Sequence, residues 1–204
     1  MFTPQLPTHQ LLSHAVSLHR AGRLPQAVEV YRQLLRQFPN NPEILARLGS
    51  ALTTMGQTQE GRRHLERAIR LAPDQAGLHY DLHLNYKREG KLKDAHASLD
   101  KALKLAPVQP AFLAARAELH LLTGDVDKAW SVIRPVVGQA ADSPSLALIF
   151  AALARHVGRE DEAMTALRAI LARQDVVPSQ RIRAQFALAH LLDLKEDVDA
   201  AFEA

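Results

Sequence analysis

Five glycines, Gly22, Gly56, Gly90, Gly124 and Gly158, recur at one fixed interval four times in succession. A constant period of this length, about 34 residues, marks a structural unit stacked on copies of itself, and it constrains the chain more than any local feature. Five residues after each glycine comes a small residue: Ala27, Gly61, Ala95, Ala129 and Ala163. Seven residues before each stands Ala15, Gly49, His83, Ala117 or Ala151, small in four of five cases. Seventeen residues after come Pro39, Pro73 and Pro107, before Ala141 breaks the row.

Each column has a physical reading. The glycine ends one helix and takes the positive φ that a side chain resists. The two small columns let neighbouring helices approach closely. The proline ends the second helix, since it lacks an amide hydrogen and restricts the residue before it. Between these marks the apolar residues run at helical spacing, as in LPQAVEVYRQLLRQF, where Ala27, Val28, Tyr31, Leu34 and Leu35 share a face. No segment alternates as a strand for long. Each unit therefore reads as helix, tight turn, helix and short link.

Two places depart from the pattern. Pro135 falls inside an expected second helix, where it removes the bond to the carbonyl of Ser131 and predicts a kinked or shortened helix. His83 occupies a small column, four residues after His79. Such a pair, with His120 in the next unit, is a conceivable metal site, but no HExxH motif or carboxylate in phase accompanies it, so a packing or surface role is expected.

A helix–turn–helix unit of this length, with small, glycine, small and proline residues at these offsets, resembles the tetratricopeptide repeat. The resemblance covers nearly the whole chain and implies an all-α, right-handed α–α superhelix. Full units are expected to begin at Thr8, Pro42, Ala76, Pro110 and Pro144, after an N-terminal extension of residues 1–7. EDVDAAF (196–202) aligns with GDVDKAW (124–130), placing Glu196 where the glycine belongs and Ala201 in the small column, so a partial sixth unit is expected from about residue 182. The step from Gly158 to Glu196 is 38, which puts four extra residues in the link near RQDVVPSQ. The helix at 181–194 is expected to expose Phe186, Leu188 and Leu191 in part, and the chain reads as the N-terminal array of a longer protein. The phrase RAQFALAHLLDLKEDVDAAFEA (183–204) is similar to the last repeat before the catalytic domain of bacterial repeat-containing sulfotransferases. That resemblance implies an acceptor-positioning role beside a transferase domain beyond residue 204. The open end offers a further role, self-assembly as a homodimer.

No phosphate-binding GxxxxGK[ST], GxGxxG after a strand, or GxSxG elbow occurs, and no cofactor or catalytic group is expected within the chain. Glu160, Asp161 and Glu162 open a helix, where its dipole favours them. The absence of cysteine excludes disulfides and thiolate sites and fits a reducing, cytoplasmic setting. The 25 basic and 22 acidic residues are interspersed, which argues against nucleic acid as a partner. No signal peptide or membrane span is read.

What remains is surface. By the family resemblance, repeat positions 2, 5, 9, 12 and 13 of first helices line a concave groove that takes a protein or peptide. Here these include His9, Leu12, Val16, His19 and Arg20; Glu43, Ser50, Thr53 and Thr54; and Tyr80, Leu84, Lys87 and Arg88. Later units add Glu118 and Leu121; Leu148, Arg155 and His156; and Arg183, Phe186 and His190. The pairs His19–Arg20, Lys87–Arg88 and Arg155–His156 predict a basic strip suited to an acidic segment with apolar anchors. The two-carboxylate clamp of the chaperone-binding members would need Lys and Asn where this chain has Leu12 and Val16, so that version is rejected.

Overall fold

The computed structural model describes residues 8–202, and side chains within 9–194. The expected extension at 1–7 lies outside the described residues. The described residues contain α-helices and one 3-10 helix, with no strand. The chain divides at Pro107 into two compact units.

The first unit carries α1 (Thr8–Arg20), α2 (Leu24–Gln37), α3 (Pro42–Thr54), α4 (Thr58–Leu71), α5 (Ala76–Arg88) and α6 (Leu92–Leu105). Each odd helix is closed by a glycine at positive φ, 84° at Gly56 for example. The residue after it then bonds back five positions, Gln57 N–H to Leu52 O at 2.9 Å. This wrap satisfies carbonyls that the helix end leaves free, and it reverses the chain in two residues. Asn41 caps α3 by accepting from the Ile44 amide at 3.1 Å, and Pro42 takes the first helical position, where its missing hydrogen costs nothing.

Helices pair through the small columns. Ala15 and Ala27, and Ala95 on α6, are fully buried. α3 and α4 approach closely, since both columns there are glycine. A Cβ on Gly61 would lie 2.7 Å from the Gly49 carbonyl oxygen and 2.8 Å from Thr53 Oγ1. His83 fills its small column differently. It is fully buried, and its Nδ1 lies 2.9 Å from the Ala95 carbonyl, the small residue facing it on α6. A carbonyl only accepts, so Nδ1 carries the proton. His79 Nε2 likewise meets Pro73 O at 2.8 Å. Both histidines serve packing. Around these contacts lie two apolar clusters, one centred on Tyr31, Leu34 and Leu48 and one on Leu45, Leu65 and Leu78.

The second unit carries α7 (Pro110–Leu122), α8 (Val126–Ile133), a 3-10 helix (Arg134–Gln139), α9 (Pro144–Val157), α10 (Glu160–Ala172) and α11 (Pro178–Phe202). Pro135 acts as its chemistry requires: α8 is cut to eight residues and the chain continues in the tighter helix. Val136 and Ala140 still reach the core beside Ile133 and Leu167. Ser143 caps α9, and Gly158 at φ 64° closes it. The extra link before α11 is held by Arg181, which donates to Leu171 O at 2.6 Å and to Arg173 O, carbonyls at the end of α10.

α11 corrects three expectations. It runs 25 residues without interruption, so no turn forms at Glu196 and residues 195–202 continue the same helix. A glutamate resists the left-handed conformation that closes every earlier first helix, and the helix has no reason to stop. The helix also begins at Pro178 rather than near residue 182. Leu191, expected to be partly exposed, is buried at 3% with Ala184, while Phe186 is 73% exposed on the opposite side.

The glycine contact between α3 and α4 makes a sharp prediction. Gly61→Ala should lower the unfolding midpoint despite alanine's better helix propensity, because the added methyl meets backbone that cannot yield, an overpacking cost of about 1–3 kcal/mol. Gly77→Ala, with nothing within 4 Å of its Cβ, should leave the midpoint unchanged or raise it.

Candidate functional site

The first unit presents a continuous face built from its three first helices. The fixed repeat places equivalent side chains in rows across α1, α3 and α5, so Ser13, Arg47 and Asp81 occupy one row. Two open clefts meet along this face. The first, of about 440 Å³, lies between α1 and α3 and is lined by Leu12, Ser13, Val16, Ser17, Arg20, Glu43 and Arg47. The second, of about 400 Å³, lies between α3 and α5. Glu43, Ala46, Arg47 and Ser50 line it from α3, Gln75, Gly77, Leu78 and Asp81 from α5 and its cap, and His19 of α1 completes the lining.

Arg47 is common to both clefts. Its guanidinium donates twice to Glu43 Oε1, at 3.0 Å from Nε and 2.8 Å from a terminal nitrogen. Both side chains are substantially exposed, so the pair contributes little to stability and holds the guanidinium in place more than it consumes it. His19 packs its ring edge-on to buried Tyr31, centroids 6.2 Å apart. Burial, and secondarily the charge of Arg47, hold His19 below its ordinary pKa, so its ring is neutral at pH 7.

Asp81 is the most perturbed group on this face. Asp81 is part-exposed, and the protein around it removes enough water to push its pKa up from 3.8 to about 7, against the opposing pull of Arg47. Among the described residues its carboxylate makes no hydrogen bond, and the charge of Arg47 is the interaction that bears on it. The sequence reading missed both Arg47 and Asp81. Their signal was available, since the two lie one full period apart and fall in one row, but the family positions point one residue to the side.

The expected groove residues divide accordingly. His19 and Arg20 line the clefts, with Leu12, Val16, Glu43 and Ser50. Thr53 does not. It is buried, donating to Gly49 O at 2.8 Å and accepting from Asn85 Nδ2 at 2.7 Å, so it ties α5 to α3 from inside. Tyr80 stacks on His83 with centroids 5.8 Å apart, and Leu84 is 38% exposed on the same helix. Lys87 is part-exposed and Arg88 exposed at the end of α5, and none of these four lines either cleft. In the second unit Glu118 is part-buried on α7 and Arg155 is exposed at the end of α9. His156 turns to Asp127 of α8, 2.9 Å from its carboxylate. Arg183, Phe186 and His190 are exposed on α11. The basic strip is thus diluted in the first unit: His19 is neutral there, and Glu43 and Asp81 alternate with Arg47.

Two tetratricopeptide-repeat family models match the chain, over residues 18–82 and 80–144. The chain belongs to the tetratricopeptide-repeat family. Its fold is similar to that of a thermophilic repeat protein of Thermus thermophilus, with a TM-score of 0.71 at 22% identity over 90% of this chain and 100% of that one. It is also similar to MamA from Desulfovibrio magneticus RS-1, with a TM-score of 0.56 at 23% identity over 64% of this chain and 73% of that one. A curated relative, cellulose synthase operon protein C of Xanthomonas axonopodis pv. citri (strain 306), is 27% identical over 175 residues, 80% of this chain. The chain spans only 11% of that relative's length. This relative is a cellulose synthase operon protein and not a sulfotransferase, so the resemblance of residues 183–204 to sulfotransferase repeats gains no support from it. Among the described residues no helix is long and apolar enough to cross a membrane.

The desolvated carboxyl has a consequence for stability. A folded-state pKa raised above the unfolded value means the folded chain holds the proton more tightly, so Asp81 costs stability progressively as pH rises from about 4 to about 7. Asp81→Asn removes that cost. It should raise the unfolding midpoint at pH 8 by at least roughly 2–4 °C, the shift that about 1 kcal/mol gives a chain of this size, and by less at pH 4.5.

Proposed function

We propose that this chain is a protein-interaction scaffold and that the face formed by α1, α3 and α5 binds an extended or helical segment of another protein. The observation that carries this reading is the pair of adjoining clefts sharing Arg47. The α1–α3 cleft offers Leu12 and Val16 as an apolar floor with Arg20 and Arg47 beside them. An apolar anchor next to a carboxylate in the ligand fits there, the carboxylate sharing Arg47 with Glu43. The charged groups run along a row of helices instead of converging on one reacting atom, which favours recognition over catalysis.

The test is selection of a displayed random peptide library on the full chain, followed by titration of the selected peptides. We expect Val16→Glu and Arg47→Glu each to weaken those peptides at least tenfold, with Arg155→Glu in the second unit without effect. Failure to select any peptide, or peptides indifferent to both changes in the first unit, would overturn the proposal.

A further inference from the structure

The α3–α5 cleft differs in sign from its neighbour. Its charged and titratable lining is His19 from α1, Glu43 and Arg47 from α3, and Asp81 from α5. No residue of α4 or α6, the other helices packed on α5, lines it. Arg47 is matched by Glu43 through two short hydrogen bonds, and His19 is neutral. The unmatched group is the Asp81 carboxylate. Ser50 and Gln75 offer polar atoms on either side, and Gly77 leaves the cleft open where a Cβ would meet nothing within 4 Å.

We infer that the α3–α5 cleft receives a basic side chain of the bound protein segment, with its guanidinium or ammonium group docked on the Asp81 carboxylate. The inference rests on the groove proposed above and deepens it. A part-exposed carboxylate that lines the cleft without a hydrogen-bond partner keeps its acceptor sites open to a ligand, and a cation meets them directly. Ser50 and Gln75 can accept the remaining N–H bonds of a guanidinium. With the α1–α3 cleft taking a carboxylate beside Arg20 and Arg47, the two clefts read opposite charges in order. This gives the bound segment a direction as well as a position.

Binding of a cation to Asp81 requires the ionised carboxylate, so affinity falls as Asp81 takes up its proton. With the group titrating at about 7, the loss between pH 8 and pH 6 is about tenfold.

The probe is N-acetyl-arginine amide, titrated into the isotope-labelled full chain and followed by amide chemical shifts. N-acetyl-citrulline amide serves as its uncharged counterpart. The expected result is saturable shifts at Ser50, Gly77 and Asp81 with the arginine compound and none with citrulline. They should be weaker at pH 6 than at pH 8 and abolished in Asp81→Asn. Ser50→Leu, which fills the cleft without changing charge, should abolish them too and covers the case of a poorly folded first variant. Absence of shifts with the arginine compound, equal response to citrulline, or binding untouched by Asp81→Asn and Ser50→Leu would overturn the cation site. Each of those outcomes leaves the groove itself to be judged by the library selection, so the two failures are distinguishable.

Discussion

The structure depends on how closely two helical backbones can approach at one crossing point in each repeat. Where both sides of the crossing are alanine, as at Ala15 and Ala27, the side chains meet in a fully buried contact. Where both are glycine, at Gly49 and Gly61, the backbones are near enough that a methyl group would have no room. Where one is His83, the approach is replaced by a hydrogen bond from the imidazole to the Ala95 carbonyl on the facing helix. All three solutions keep the same connection, because the glycine that ends the first helix returns the chain at a fixed angle whatever fills the crossing.

From that constraint the groove follows. A constant pair geometry, repeated at a constant interval, sets α1, α3 and α5 side by side and puts the sixth residue of each in one row. Arg47 and Asp81 are brought to one cleft by register, with no contact between them needed to place them there. Inside the pairs, Asn85 donates to Thr53 and to the Thr58 carbonyl, fastening α5 to the preceding helix pair. The face that carries Asp81 is therefore held from behind by buried polar bonds, which resist rearrangement because breaking one leaves a buried polar group unsatisfied.

The repeat architecture was legible because its marks are backbone necessities. Glycine at positive φ and proline at a helix end have few substitutes, and the local effect of Pro135 on α8 could be read from the same rules. The end of the chain was misread because EDVDAAF copies the charges and alanines of GDVDKAW but not the one residue that makes the turn. With Glu196 in its place, α11 runs on. Thr53 was assigned to the groove because family positions assume one orientation of the last helical turn. In this chain its hydroxyl has a buried partner in Asn85, 32 residues away, which no local pattern announces. Asp81 was passed over because an aspartate in a helix ordinarily reads as solvated. Its significance lies in the protein that surrounds it, a property of packing and not of spacing.

Asp81 gathers the account into one quantity. Its carboxyl is pushed up to about 7 only if the cleft between α3 and α5 takes water from one side of it, and it responds to Arg47 only if the row brings the two together. The decisive measurement is a carbon-13 titration of the Asp81 carboxyl in the full chain and in Arg47→Gln. A midpoint near 7 is expected, rising further when the arginine charge is removed. A midpoint near the ordinary 3.8, unmoved by Arg47→Gln, would contradict it.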